Sequence, residues 1–115
     1  MFQFSYAEIM EDDLTVARER ERQILTRSIE LLEVAKQSAK YDKDSIEAVY
    51  YTRRVWIRLI EDLRSADNQL SVEVRANLIS IAIWILKELE NIRRRTSTNY
   101  QGIIDITIII RDGLK

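Results

Sequence analysis

From Ala17 onward the apolar positions recur at intervals of three and four. Ala17, Ile24, Ser28, Leu31 and Ala35, with Leu25, Leu32 and Ala39 beside them, form one stripe. That is the spacing of an amphipathic helix with a single buried face. The opposite side carries Arg18, Glu19, Arg20, Glu21 and Arg22, a solvated surface of mixed sign. Arg27–Glu30 and Glu33–Lys36 are spaced for weak pairs, each contributing about 0.2–0.5 kcal/mol. Asp12 and Asp13 can cap free backbone N–H groups, so the pattern predicts a helix from there to about Ala39. Residues 1–11 then form an N-terminal arm and 12–115 a single bundle domain.

A polar joint at Lys40–Lys43 precedes Asp44-Ser-Ile-Glu47, which has capping-box spacing with Asp at the cap. The second helix is predicted to reach about Arg64, with Ile46, Val49, Tyr50, Trp56, Ile57, Ile60 and Leu63 inward. Ser65–Gln69 makes the next joint. Ser71 is a good N-cap with Glu73 in the first turn. The third helix runs to the Arg93–Arg94–Arg95 stretch, where positive charge suits a C-terminus. Its middle, from Leu78 to Leu86, is apolar on nearly every side, which predicts the most enclosed helix of the bundle. Thr98-Asn-Tyr-Gln101 again has capping-box spacing.

Two isoleucine-rich runs, 79–85 and 103–110, carry strand propensity through their β-branched side chains. Helix is the better reading for both. The first is embedded in helical sequence without a breaker, and the second has a cap in front and Gly113 behind as a stop. With no proline and two glycines in 115 residues, the usual helix breakers are nearly absent. The predicted fold is all-α: an antiparallel bundle of three long helices and a short fourth, since short joints reverse the chain.

Charge and composition narrow the function classes. The chain has 18 basic and 19 acidic residues and no histidine or cysteine. A net charge of −1 offers phosphate no electrostatic attraction, so direct nucleic-acid binding and an anionic membrane surface are not expected. Without cysteine there is no disulfide, thiolate nucleophile or thiolate metal site, and without histidine the commonest acid–base group and metal ligand are gone. No Glu-x-x-His pair can hold a di-metal centre, and no glycine-rich phosphate loop can be built from Gly102 and Gly113. The acids sit among arginines on polar faces, as solvated surface does. No catalytic residue, metal or cofactor is expected. The acidic N-terminus does not look like a secretory signal, and the longest apolar stretch, Leu78–Leu86, is far short of the ~20 residues a bilayer crossing needs. These features predict a cytoplasmic protein.

The Arg93–Arg95 run reads first as helix-end charge paired with Glu88 and Glu90. Trp56 and Trp84 lie on apolar faces, where core packing with a partner for each indole N–H is the default. Phe2, Phe4 and Tyr6 alternate ahead of the first predicted helix. They could pack on the bundle or form an arm that meets a partner.

Several blocks together resemble the FlaF family. They are Phe2-Gln-Phe-Ser-Tyr-Ala-Glu8, the Arg18-Glu-Arg20 region, Arg53-Arg-Val-Trp56 with Leu59-Ile-Glu-Asp-Leu63, Arg75-Ala-Asn-Leu-Ile-Ser-Ile-Ala-Ile-Trp-Ile-Leu86 with Glu88–Arg93, and Ile109-Ile-Arg-Asp-Gly-Leu114. The resemblance covers essentially the whole chain. Ser71 and Ala82 stand where that family often has proline and glycine, and both changes favour helix. The resemblance implies a small cytoplasmic flagellar factor without catalytic residues, acting in flagellin production and export beside the regulator FlbT.

Three roles follow: a flagellin-binding secretion chaperone or export adaptor, a post-transcriptional regulator of flagellin synthesis acting with FlbT, or a homo-oligomeric helical subunit. Helix lengths suggest a place for a partner. A fourth helix of about 13 residues spans ~20 Å, whereas a third of about 24 spans ~36 Å. Running back along it, the fourth would cover the third from Arg95 to about Ala82. Val74, Leu78, Ile79 and Ile81 would then lack a neighbour, and either Phe2, Phe4 and Tyr6 or a flagellin helix would fill the slot.

Overall fold

The computed structural model describes residues 6–113, with side chains from residue 16 onward. The chain is all-α: α1 Tyr6–Lys36, α2 Lys43–Arg64, α3 Val72–Arg93 and α4 Tyr100–Gly113. Both isoleucine-rich runs are helical. No strand occurs among the described residues.

Local chemistry sets most of the boundaries. Asp42 caps α2: its carboxylate accepts from Ser45 N at 3.2 Å and from the Ser38 hydroxyl at 2.7 Å. The cap thus lies two residues before Asp44, because Ser38, on the turn leaving α1, anchors Asp42 from behind. Ser71 caps α3 as expected, accepting from Val74 N at 3.2 Å. At α4 the cap is Asn99, not Thr98, with Asn99 Oδ1 accepting from Gly102 N at 3.0 Å. A Cβ at Gly102 would come within 2.5 Å of Asn99 Nδ2, so a side chain there would push the capping amide aside.

α3 closes with the backbone bonds of a Schellman motif. Arg95 N donates to Ile92 O and Thr96 N to Asn91 O, at 3.0 and 2.9 Å. Arg95 occupies the left-handed position, φ 66°, that glycine usually fills. α1 starts earlier and ends sooner than its sequence pattern suggests. Tyr6 opens the helix, so residues 6–11 of the expected N-terminal arm are helical, and the helix stops at Lys36 rather than Ala39.

α1 is the spine of the bundle. It packs along both α2 and α4, while α3 packs along α2. α1 and α2 approach through small side chains: Ser28, Ala35, Ser45, Ala48 and Thr52 are fully buried. The Ser28 and Thr52 hydroxyls share a buried hydrogen bond of 2.7 Å. Each satisfies the other where water cannot. Leu32, Trp56, Leu63, Ile85, Leu89, Ile92, Ile103 and Ile104 fill the rest of the interior. Trp56 Nε1 is buried with no hydrogen-bond partner among the described residues, so the partner expected for that indole is not found.

Three expectations about burial are corrected. Ile46, Tyr50 and Ile57 of α2 are exposed, as are Ala17 and Ile24 of α1. Val49, Trp56 and Leu63 are buried as expected and Ile60 packs against the core, but Ser45, Ala48 and Thr52 are buried where Ile46, Tyr50 and Ile57 were expected. α3 is not the most enclosed helix: only Ala82, Ile85, Leu89 and Ile92 are buried. α4 also does not lie along α3 as a cover. It packs on α1, with Lys36 Nζ donating to Gln101 Oε1 at 2.5 Å. No packing comparable to the α1–α4 contact joins α3 to α4.

Candidate partner-binding surface

The buried positions of α3, at 82, 85, 89 and 92, cover one side of the helix. Its apolar residues extend well beyond that side. Trp84 is 40 % exposed, Ile83 44 % and Val74 43 %. Leu78, Ile79, Ile81 and Leu86 are half-buried. At 100° per residue, Ile79, Ile83 and Leu86 share one flank, and Val74, Ile81 and Trp84 lie towards the other.

The first flank faces α2. There a groove of about 200 Å³ is lined by Val49, Arg53, Ile57, Leu86, Leu89, Glu90 and Arg93. Its floor is aliphatic and its rim charged. Tyr50 and Ile46 extend the apolar surface along α2, and Arg54 stacks over the Tyr50 ring at 5.7 Å. This combination of apolar floor and polar rim is how protein-binding surfaces are built.

The α3 end of the groove is held by ion pairs. Glu90 accepts from Arg93 Nε at 2.8 Å and Arg93 Nη2 at 2.6 Å, and from Arg94 Nε at 3.0 Å. The Arg93 hydrogen bond, and then the charges of Arg93 and Arg94, hold the Glu90 carboxyl down at about 2. Arg95 lies over the Tyr41 ring at 5.6 Å. Burial and then the neighbouring Tyr100 push the Tyr41 phenol up. All three arginines of the run are thus engaged within the chain. The expected pairing holds for Glu90, and no ion pair with Glu88 is found among the described residues.

A second concavity, about 460 Å³, runs along α1 and is lined by Glu19, Arg22, Gln23, Thr26, Arg27 and Glu30. All six are polar side chains on one helix. Among the described residues no group of three or more acidic, histidine or cysteine side chains is placed to hold a metal. No described helix is long and apolar enough to cross a membrane.

The partner residues expected from sequence divide as follows. Val74, Leu78 and Ile81 fall at i, i+4 and i+7 on α3, with Ile79 on the other flank. Tyr6 is the first residue of α1, and its side chain, like Phe2 and Phe4, lies outside the described residues. Ile83, Trp84, Tyr50 and Ile57 were not singled out for partner contact. The signal for the first two was the all-round apolar middle of α3, which sequence reading assigned to enclosure.

The family model for flagellar protein FlaF matches residues 2–114. The chain belongs to the FlaF family. That makes it a flagellar protein, and the match takes in all four helices and the α2–α3 groove. No curated protein and no solved structure matches the chain.

Proposed function

We propose that this FlaF-family chain is a non-enzymatic cytoplasmic factor of flagellar biosynthesis that binds flagellin as a secretion chaperone or export adaptor. The observation that carries this reading is the apolar surplus of α3: Ile83 is exposed on the flank that carries the aliphatic α2–α3 groove, and Trp84 and Val74 are exposed towards the opposite flank. An exposed apolar surface of this kind is a docking face for an amphipathic helix. Flagellin before assembly offers such helices. The partner contacts are Val74, Leu78, Ile79 and Ile81, joined by Ile83 and Trp84.

FlbT is a second candidate partner for the same face, with regulation of flagellin synthesis as the consequence. Direct contact with messenger RNA is disfavoured, because Arg93 and Arg94 are bound to Glu90 and Arg95 covers Tyr41. RNA would have to compete with those contacts for its only basic run.

The test is co-purification of flagellin with the full chain and with an Ile83→Ser/Trp84→Ser double variant, circular dichroism verifying that the variant is folded. Flagellin affinity should fall at least about tenfold, as it does when central aromatic anchors are removed. Unchanged affinity in a folded variant removes this face from the proposal. Failure of the parent chain to bind flagellin, with binding to FlbT instead, assigns the role to regulation.

A further inference from the structure

The groove between α2 and α3 is built by a second seam on each helix. On α2 the buried Ser45, Val49, Thr52 and Trp56 follow one another at four, three and four. Ile46, Tyr50, Arg53 and Ile57 repeat that spacing one residue further on. On α3 the buried Ala82, Ile85, Leu89 and Ile92 are shadowed in the same way by Ile83, Leu86, Glu90 and Arg93. A shift of one residue turns a seam by about 100° around its helix. Both second seams therefore leave the core, and they meet: Arg53 and Ile57 line the groove together with Leu86, Glu90 and Arg93. Ile46, Tyr50, Ile57 and Ile83 are exposed along them. Two helices whose outer seams converge make the seat of a third.

Charge identifies that third helix. Glu90, the one carboxylate in the groove lining, is already held by Arg93 and Arg94. Arg53, on the α2 wall, is exposed and makes no ion pair among the described residues. Lys87, beside Leu86 on the α3 wall, is likewise exposed and without one. Further out on α2, Glu61 is offset in sign by Arg64, and Glu47 pairs with Arg27 of α1. The aliphatic floor thus has an uncompensated cation on each side.

We propose that the groove takes an amphipathic helix of a partner protein that carries carboxylates on both sides of its apolar stripe. One row faces Arg53 and the other faces Lys87. The proposal rests on the reading of this face as a docking surface and names the helix chemistry that it selects. From Ile83 to Arg93 the α3 wall is about 15 Å long, so three turns of the partner suffice. A helix flanked by lysine would meet like charge on both walls, which opposes docking.

The experiment measures binding of three fluorescent helical peptides to the full chain by anisotropy. They share one leucine stripe and carry glutamate, glutamine or lysine on both sides of it. The glutamate peptide should bind about tenfold or more tighter than the lysine peptide, with glutamine between, and salt should narrow the gap. Arg53→Glu/Lys87→Glu should reverse the order. Lys40→Glu/Arg58→Glu, which changes net charge equally away from the groove lining, should keep it. No binding, equal binding of all three peptides, an unchanged order in the groove variant or a reversed one in the control each overturn the proposal. A parent chain that pairs with itself, and loses the pair in Ile57→Ser/Leu86→Ser, gives the groove to a second copy and overturns it too. Flagellin co-purification is read separately. Flagellin held by a chain that does not prefer the glutamate peptide overturns this proposal alone, whereas the preference without flagellin overturns only the flagellin role.

Discussion

Trp56 and Trp84 occupy neighbouring helices, each with isoleucine and leucine close by in sequence, yet one is completely buried and the other is 40 % exposed. Trp56 projects from α2 into the space where the other helices meet. Trp84 projects from α3, which has α2 along one flank and no helix packed closely along the other. Local hydrophobicity is therefore a poor guide to depth here. What decides is how many helices surround the position, and α3 stands at the open edge of the bundle. The same comparison separates two parts of the bundle: the α1–α2 seam is sealed, and the α3 edge keeps apolar surface exposed.

The largest expected effect breaks this comparison directly. Trp56→Ala should cost about 3–5 kcal/mol, as large-to-small changes in cores do, and Trp84→Ala about 1 kcal/mol or less. Urea denaturation of the two variants reads the difference. Equal losses would place α3 inside the core after all.

A sharper probe of the sealed seam is its buried hydroxyl pair. Thr52→Val leaves Ser28 without a partner and should cost about 1–3 kcal/mol. The double variant Ser28→Ala/Thr52→Val should recover part of that loss, because no polar group is then stranded. If the two single losses simply add, the hydroxyls do not depend on each other.

Smaller effects belong to the α3–α4 corner. Arg95 holds the left-handed position at φ 66°, which disfavours side chains by about 1–2 kcal/mol, and the contact with Tyr41 offsets some of this. Arg95→Ala keeps the strain and loses the contact, whereas Arg95→Gly loses both. The glycine variant should therefore melt later than the alanine variant, by about 1 kcal/mol. A reversed order would mean that the backbone strain is relieved elsewhere.

The smallest effect is electrostatic. The Glu90 carboxyl lies at about 2 rather than its usual 4.5, so its contribution is present above 4.5 and is lost as pH falls from there towards 2. The pair is solvent-exposed, and salt should shrink the effect. Stability of Glu90→Gln measured from pH 5 to pH 2 should fall less steeply than that of the parent. Parallel curves would show that the arginines do not discriminate between its charged and neutral forms.

Helix lengths led to an expected gap beside Val74, Leu78, Ile79 and Ile81 under an α4 lying along α3; α4 packs on α1 instead, Val74 is exposed, and Leu78, Ile79 and Ile81 are half-buried. Packing of α4 on α1 leaves more of α3 open than that, which is why Trp84 and Ile83 join the surface. The α2 side of the groove was not legible. Val49, Trp56 and Leu63 are buried as their pattern predicts, but Ile46, Tyr50 and Ile57 are exposed, and nothing local marks Ser45, Ala48 and Thr52 for burial.

What the sequence determined by itself is what short-range chemistry controls. The near absence of proline and glycine makes helices, Ser71 caps α3, and polar joints divide the chain into four elements. Even the errors at Asp42 and Asn99 are one- or two-residue shifts between neighbouring capping side chains. Tertiary structure alone decided which helix became the spine, which side of α2 met it and which flank of α3 was left open. Those choices depend on how closely two backbones can approach and on which surfaces compete for the same partner. Such contacts join residues far apart in the chain, as Ser28 and Thr52 are, and no repeat of three and four can encode them.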